Sequence, residues 1–185
     1  MANNNAANVT AGKPKVGGAV FRAPFGTALP TTADATLNEA FINLGYCTED
    51  GLVNANTPTK EVVRAWGGDV VLTTQTEKND TFNLTLIEVF NTEVLKVRFG
   101  ATNVTGTLST GISVTANADE DDLYSYVIDM IGKGDVMHRI VIPQADLTEI
   151  GDITYVDNAP VGYPITLTAI SDANGVTHKE YFKQA

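Results

Sequence analysis

The stretch from Arg64 to Gly100 constrains the fold of this chain more than any other. Val70, Leu72, Thr74 and Thr76 fall on one side of the backbone and Val71, Thr73, Gln75 and Glu77 on the other, the alternation of a strand. Lys78-Asn79-Asp80 predicts a turn, because Asn and Asp side chains bond their own backbone. Phe82, Leu84 and Leu86 then alternate with Thr81, Asn83 and Thr85, so residues 69–88 are expected to form an antiparallel hairpin. At Phe90 the period changes. Phe90, Val94 and Val97 share one helical face and are expected to bury it. Asn91 suits the N-cap, Glu93 the positive end, Lys96 and Arg98 the negative end, and Gly100 an αL stop. Upstream, Trp66-Gly67-Gly68 places a large aromatic before two residues free to take positive φ, so the backbone there is able to turn sharply.

The rest of the chain repeats the strand pattern. Thr, Val and Ile together number 54, against two convincing helical stretches, so the fold class is mainly β. Residues 1–14 are polar and predict a flexible arm; residues 15–185 predict a single β domain with a long polar connection at 47–68. Residues 16–24 read as a first strand, 25–36 as a loop, and 37–46 as competing helix and strand signals. After a Thr/Gly loop at 101–110, residues 111–116 predict a short strand with Ile112 and Val114 inward. Tyr124 to Ile131 and Asp135 to Pro143 predict a hairpin around Gly132-Lys133-Gly134, and Leu147 to Tyr155 a further strand, broken near Gly151. Tyr163 to Ile170 and Val176 to Phe182 predict a last hairpin around Asp172-Ala173-Asn174-Gly175. Successive hairpins with one helix imply two packed antiparallel sheets, a sandwich with the helix flanking them.

Chemistry finds little purchase in these residues. His138 and His178 are the two histidines, and no nucleophile or orienting acid marks either as part of a triad, so both are read as structural or solvent-facing. The single Cys47 excludes an intrachain disulfide and a Cys-rich zinc site and reads as a small packing residue. Asp119-Glu120-Asp121-Asp122 lacks the spacing and central Gly of a calcium loop; Asp172-Ala173-Asn174 starts like one, but Lys183 stands where its last ligand belongs. Gly132-Lys133 ends like a phosphate loop, yet Gly134 replaces the Ser or Thr. No catalytic residue, metal or cofactor is expected. No apolar run reaches membrane-span length, and the polar start MANNNAANVT carries no secretion signal, so synthesis in a cytosol is expected.

Charge is placed unevenly. Of the net −10, residues 119–157 supply −8, with ten acids and two bases. An acidic surface of that kind repels phosphate, so specific nucleic-acid binding is not expected. Two classes remain: a self-assembling structural subunit, and a β-sandwich carbohydrate-binding or adhesion module. The second needs exposed aromatics, for which Trp66, Tyr124 and Tyr126 are the candidates.

The residues resemble the major tail tube proteins of long, non-contractile-tailed bacteriophages. The resemblance rests on Gly12-Lys13-Pro14-Lys15-Val16-Gly17-Gly18-Ala19, on Asn43-Leu44-Gly45-Tyr46 with Glu49-Asp50-Gly51-Leu52, and on Ala65-Trp66-Gly67-Gly68-Asp69. It continues through residues 81–88, Arg139-Ile140-Val141-Ile142-Pro143 and Asp172 to Gly175, over nearly the whole chain in order. It implies two packed sheets with a flanking helix, in rings, usually hexameric, stacked into the tube of a virion. The implied partners are further copies of the chain, a tape-measure protein, and tail tip and terminator proteins, with DNA passing through unbound and no membrane insertion. In such a tube Trp66, Gly67, Gly68 and Asp69 are candidate subunit contacts. Asp119, Glu120, Asp121, Asp122, Asp146, Glu149 and Asp152 are candidate lumen-facing acids, where they would keep a sliding duplex from adhering.

Overall fold

The structure is a computed structural model that describes residues 4–185. Its strands are β1 (Lys13–Pro14), β2 (Val20–Pro24), β3 (Ile42–Asn43), β4 (Val53–Arg64) and β5 (Val70–Leu86), followed by the helix α1 (Thr92–Phe99). Then come β6 (Val104–Thr107), β7 (Gly111–Val114), β8 (Tyr124–Ile131), β9 (Val136–Ile150), β10 (Tyr163–Ala169) and β11 (Lys179–Gln184). Among the described residues the fold is mainly β, with two antiparallel sheets and one α-helix, as composition and periodicity predict. The sheets are unequal. Nine strands make the large one, in the order β3-β2-β8-β9-β10-β5-β4 with β1 on β8 and β11 on β9; β6 and β7 make the small one.

Alternation along β8 and β9 gives the large sheet two apolar faces. Tyr126, Ile128, Ile140 and Ile142 point to one side, where they meet Phe82, Leu84 and Leu86 of β5, Ile165 and Leu167 of β10, and Val94, Leu95 and Val97 of α1. One cluster drawing on β2, β5, β8, β9 and β10 requires the sheet to curve around the helix. Val127 and Val141 point to the other side and pack with Ala23 and Phe41 beneath the 25–41 loop. That loop is tied down by Arg139, only 2% exposed. Its Nε and NH2 donate to Asp129 at 2.6 and 2.7 Å, and its NH1 to the carbonyls of Thr32 and Ala35 at 3.1 and 2.6 Å.

Several local expectations hold. Asn91 caps α1, its side chain accepting from the Glu93 N–H at 3.0 Å, and Val94 and Val97 are buried. The β8–β9 hairpin turns at 132–135, where the Gly132 N–H donates to the Val136 carbonyl at 2.7 Å. Gly100 ends the helix at positive φ, though its ψ of 143° is extended rather than αL.

Others are corrected. Phe90 is 70% exposed and precedes the cap, so it is outside the buried face; Leu95 takes the third core position. Lys78-Asn79-Asp80 is not a turn: β5 runs straight through it, and the hairpin is β4–β5, turning at 65–69. Within 47–68, expected as a connection, residues 53–64 are therefore strand. The strand expected at 16–24 is β2 and begins at Val20, after a turn in which the Gly18 N–H donates to the Lys15 carbonyl. Residues 104–107, expected as loop, pair with β7, and Val114 there is 38% exposed rather than inward. Of the strand expected at 147–155, residues 147–150 are the end of β9, which continues through Pro143, and residues 151–155 are not strand. The 163–182 hairpin is absent as such. β10 and β11 lie end to end along the same edge of β9, both antiparallel to it, and Asp172 to Val176 is a local turn between them. Of the expected 1–14 arm, residues 1–3 lie outside the described residues; Thr10 Oγ1 accepts from the Lys133 N–H at 2.6 Å and β1 pairs with β8.

Candidate functional site: a projecting hairpin and a divided acidic edge

The outstanding feature follows from the length of β4 and β5. All twelve residues of β4 are exposed, and so is β5 from Val70 to Asn79. Where β5 also pairs with β10, from Thr81 on, β4 is the outer edge of the large sheet. Beyond Asp80 the pair stands alone, and the eight residues from Thr57 to Arg64 at about 3.4 Å each give an arm of about 27 Å, two strands wide and open to water on both faces. The β4–β5 ladder runs from Val53↔Asn83 to Arg64↔Val70, with irregularities at Thr59/Lys60 and Val63/Arg64. At the tip the Ala65 N–H donates to the Asp69 carbonyl at 2.8 Å, and the Gly68 N–H to the Ala65 carbonyl at 3.0 Å. Gly67 and Gly68 have φ of 110° and 99°, which a residue with a Cβ adopts only with strain. Arg64 NH1 donates to the Gly68 carbonyl at 3.0 Å and braces the turn. Trp66 stands free at 106% exposure, and Val62, Val63, Val70, Val71 and Leu72 are all about half exposed. An isolated two-stranded hairpin is marginal in water, so an arm of this length with this apolar content needs something to pack on it.

The root of the arm is held firmly. Asp80 is 1% exposed and accepts from Asn54 Nδ2 at 2.8 Å, Thr177 Oγ1 at 2.5 Å and His178 Nδ1 at 2.5 Å. Burial works against its ionisation, but these donors outweigh it and hold the carboxyl below the ordinary 3.8. His178 also meets the Phe82 ring edge-on at 5.3 Å. Glu180 lies 3.5 Å from His178 Nε2 and 2.7 Å from His138 Nε2, and His138 stacks on Phe182. Both histidines thus join β11 to its neighbours.

The acids that chain order groups together are divided in space. Asp119, Glu120, Asp121 and Asp122 occupy the exposed loop before β8, where Asp119 is bonded to Asn117. Asp146 comes close to this loop because Tyr124 pairs with Ala145. Partial burial raises the Asp121 pKa, Arg22 opposes the rise, and Asp122 and Asp146 add to it. Glu149 and Asp152 lie further along, Glu149 beside Thr166 of β10 at 3.4 Å. The loop acids and Asp146 thus form one patch, and Glu149 and Asp152 a separate edge.

Among the described residues no three His, Cys, Asp or Glu side chains are grouped to hold a metal ion, and no helix is long and apolar enough to cross a membrane. Cys47 is half-buried against the core, and burial, with the Glu88 charge second, pushes its thiol up to about 11. Of the three candidate sugar-stacking rings, Tyr126 is 2% exposed and Tyr124 lies under the Arg22 guanidinium at 4.1 Å, leaving Trp66 alone. Sequence reading missed the arm itself. The available signal was the β-branched Thr57, Thr59, Val62 and Val63, ending at the Gly67-Gly68 turn.

A family model described as Phage tail tube protein matches residues 1–183. Comparison with curated proteins finds no match.

Proposed function

The chain belongs to the family of phage tail tube proteins, which makes it a structural component of a virion, and we propose that it assembles into stacked, hexameric rings. The stack is the conduit for genome delivery, formed around a tape-measure protein and closed by tip and terminator proteins, after synthesis in the host cytoplasm. The observation that carries this reading is the arm: about 27 Å of two-stranded sheet with apolar side chains on both faces is intelligible only with neighbours along it. Trp66, Gly67, Gly68 and Asp69 then act as subunit contacts, and sheet edges supply further pairing.

The acids complete the reading. Asp119, Glu120, Asp121, Asp122 and Asp146 present one negative patch, and Glu149 and Asp152 a second, separate edge. Facing the lumen, they repel phosphate and let the duplex slide unbound.

The test is electron microscopy of the purified protein beside a variant with residues 58–78 replaced by a two-residue Asn-Gly turn, which leaves Thr57 and Asn79 paired. Tubes from the first and folded, unassembled subunits from the second are expected. Tubes of ordinary length from the shortened variant would overturn the role of the arm. In phage carrying Lys at Asp121, Asp122 and Asp146, tails should form and DNA ejection slow; unchanged ejection removes the acids from the lumen.

A further inference from the structure

Beside the root of the arm lies a groove of about 630 Å³. Val20, Leu84, Ile128 and Met130 make its floor, and Cys47 and Leu52 its wall. The floor residues Val20, Leu84 and Ile128 are nearly inaccessible, so the groove opens directly onto the main core. Its lining is acidic on balance: Glu49 and Glu88 contribute two carboxylates against Lys15, whose Nζ lies 3.7 Å from Asp129, and the exposed Asp50 follows Glu49.

The tip of the arm has the complementary features. Trp66 is a bare indole, and Arg64, two residues away, is the cation beside it. Neither Arg64 nor Glu49 forms an ion pair among the described residues. The arm cannot deliver its own tip: Gly51 and Leu52 of the groove immediately precede β4, and the tip lies about 40 Å away along the ladder. We infer that this groove receives the Trp66 tip of a second copy of the chain, with Arg64 of the incoming arm set against Glu49. The ring enters the apolar cleft as an aromatic anchor, and the charged pair at the rim fixes its orientation. This rests on the self-assembly reading and names the surface that the arm engages.

The chain's composition supplies two reporters, since Trp66 is its only tryptophan and Cys47 its only cysteine. In wild-type protein, assembly should shift the Trp66 emission to shorter wavelength and abolish maleimide labelling of Cys47. The variant Asp69→Cys keeps the indole and places a second thiol beside it. Under mild oxidation its assemblies should give a ladder of disulfide-linked chains, and the ladder should vanish when Cys47→Ser is added. Glu49→Arg should block assembly, and Glu49→Arg with Arg64→Glu should restore it. Tubes in which Cys47 stays reactive, or in which linkage survives Cys47→Ser, overturn this inference and leave the assembly reading standing. Loss of Cys47 labelling with no link from position 69 also overturns it, assigning the groove to another segment. If wild-type protein forms no tubes at all, both readings fall together.

Discussion

Replacing Arg139 by Met tests how the structure is held on its outer face. Arg139 and Asp129 are 2% and 4% exposed and share two charge-assisted hydrogen bonds, while NH1 binds two carbonyls of the 25–41 loop. Met fills much of the space but leaves the Asp129 charge with only Lys15, 3.7 Å away and 42% exposed at its side chain. Removing one partner of a buried pair costs about 3–5 kcal/mol. The half-exposed Lys15 offsets part of that, which places the expected loss near about 3 kcal/mol. For a chain of this size each kcal/mol moves the melting temperature by about 2–4 °C, so Tm should fall by about 6–12 °C. Circular dichroism melts of unassembled protein give the number, and hydrogen exchange should show the 25–41 loop loosening first. Adding Asp129→Leu removes the stranded charge and should recover at least half of the loss. A single variant that melts within about 1 °C of wild type, or a double variant no better than the single, would refute the reasoning.

Two further outcomes follow from the burial pattern and the arm root. Val94→Asp places an unpaired charge at a fully buried helix position and should abolish soluble folding, whereas Phe90→Asp, at a 70% exposed site, should leave soluble yield and melting unchanged; equal behaviour of the two would sink the helix assignment. Because the Asp80 carboxyl is held below 3.8 by Asn54, Thr177 and His178, its stabilisation is present above that value and is lost as pH falls below it. The stability gap between wild type and Asp80→Asn, measured by urea unfolding, should therefore shrink from pH 6 to pH 3, and a gap independent of pH would show that ionised Asp80 does not hold the arm.

What the sequence determined is what short-range chemistry decides. The alternation of Thr, Val and Ile made the chain mainly β. Asn91 and Gly100 marked the helix ends because cap geometry involves residues within one turn, and Gly132-Lys133-Gly134 marked the β8–β9 turn for the same reason. The ordered residues that resemble the tail tube family also stood in the sequence, and the family match agrees with them. Tertiary structure decided the rest. Lys78-Asn79-Asp80 has turn chemistry, yet the Asp80 carboxylate is taken up by Thr177 and His178, some 97 and 98 positions away, and the strand runs on. Phe90 keeps helical spacing with Val94, but the cap at Asn91 leaves it outside the helix. Asp172-Ala173-Asn174-Gly175 does turn, but the strands around it pair with β9 because β9 is long enough to hold both along one edge. Likewise the acids from Asp119 to Asp152 are neighbours in sequence and divide in space, since register along β9 brings Asp146 to the loop and carries Glu149 and Asp152 away. Local rules fix which conformations a segment prefers; pairing partners far along the chain fix which of them survives.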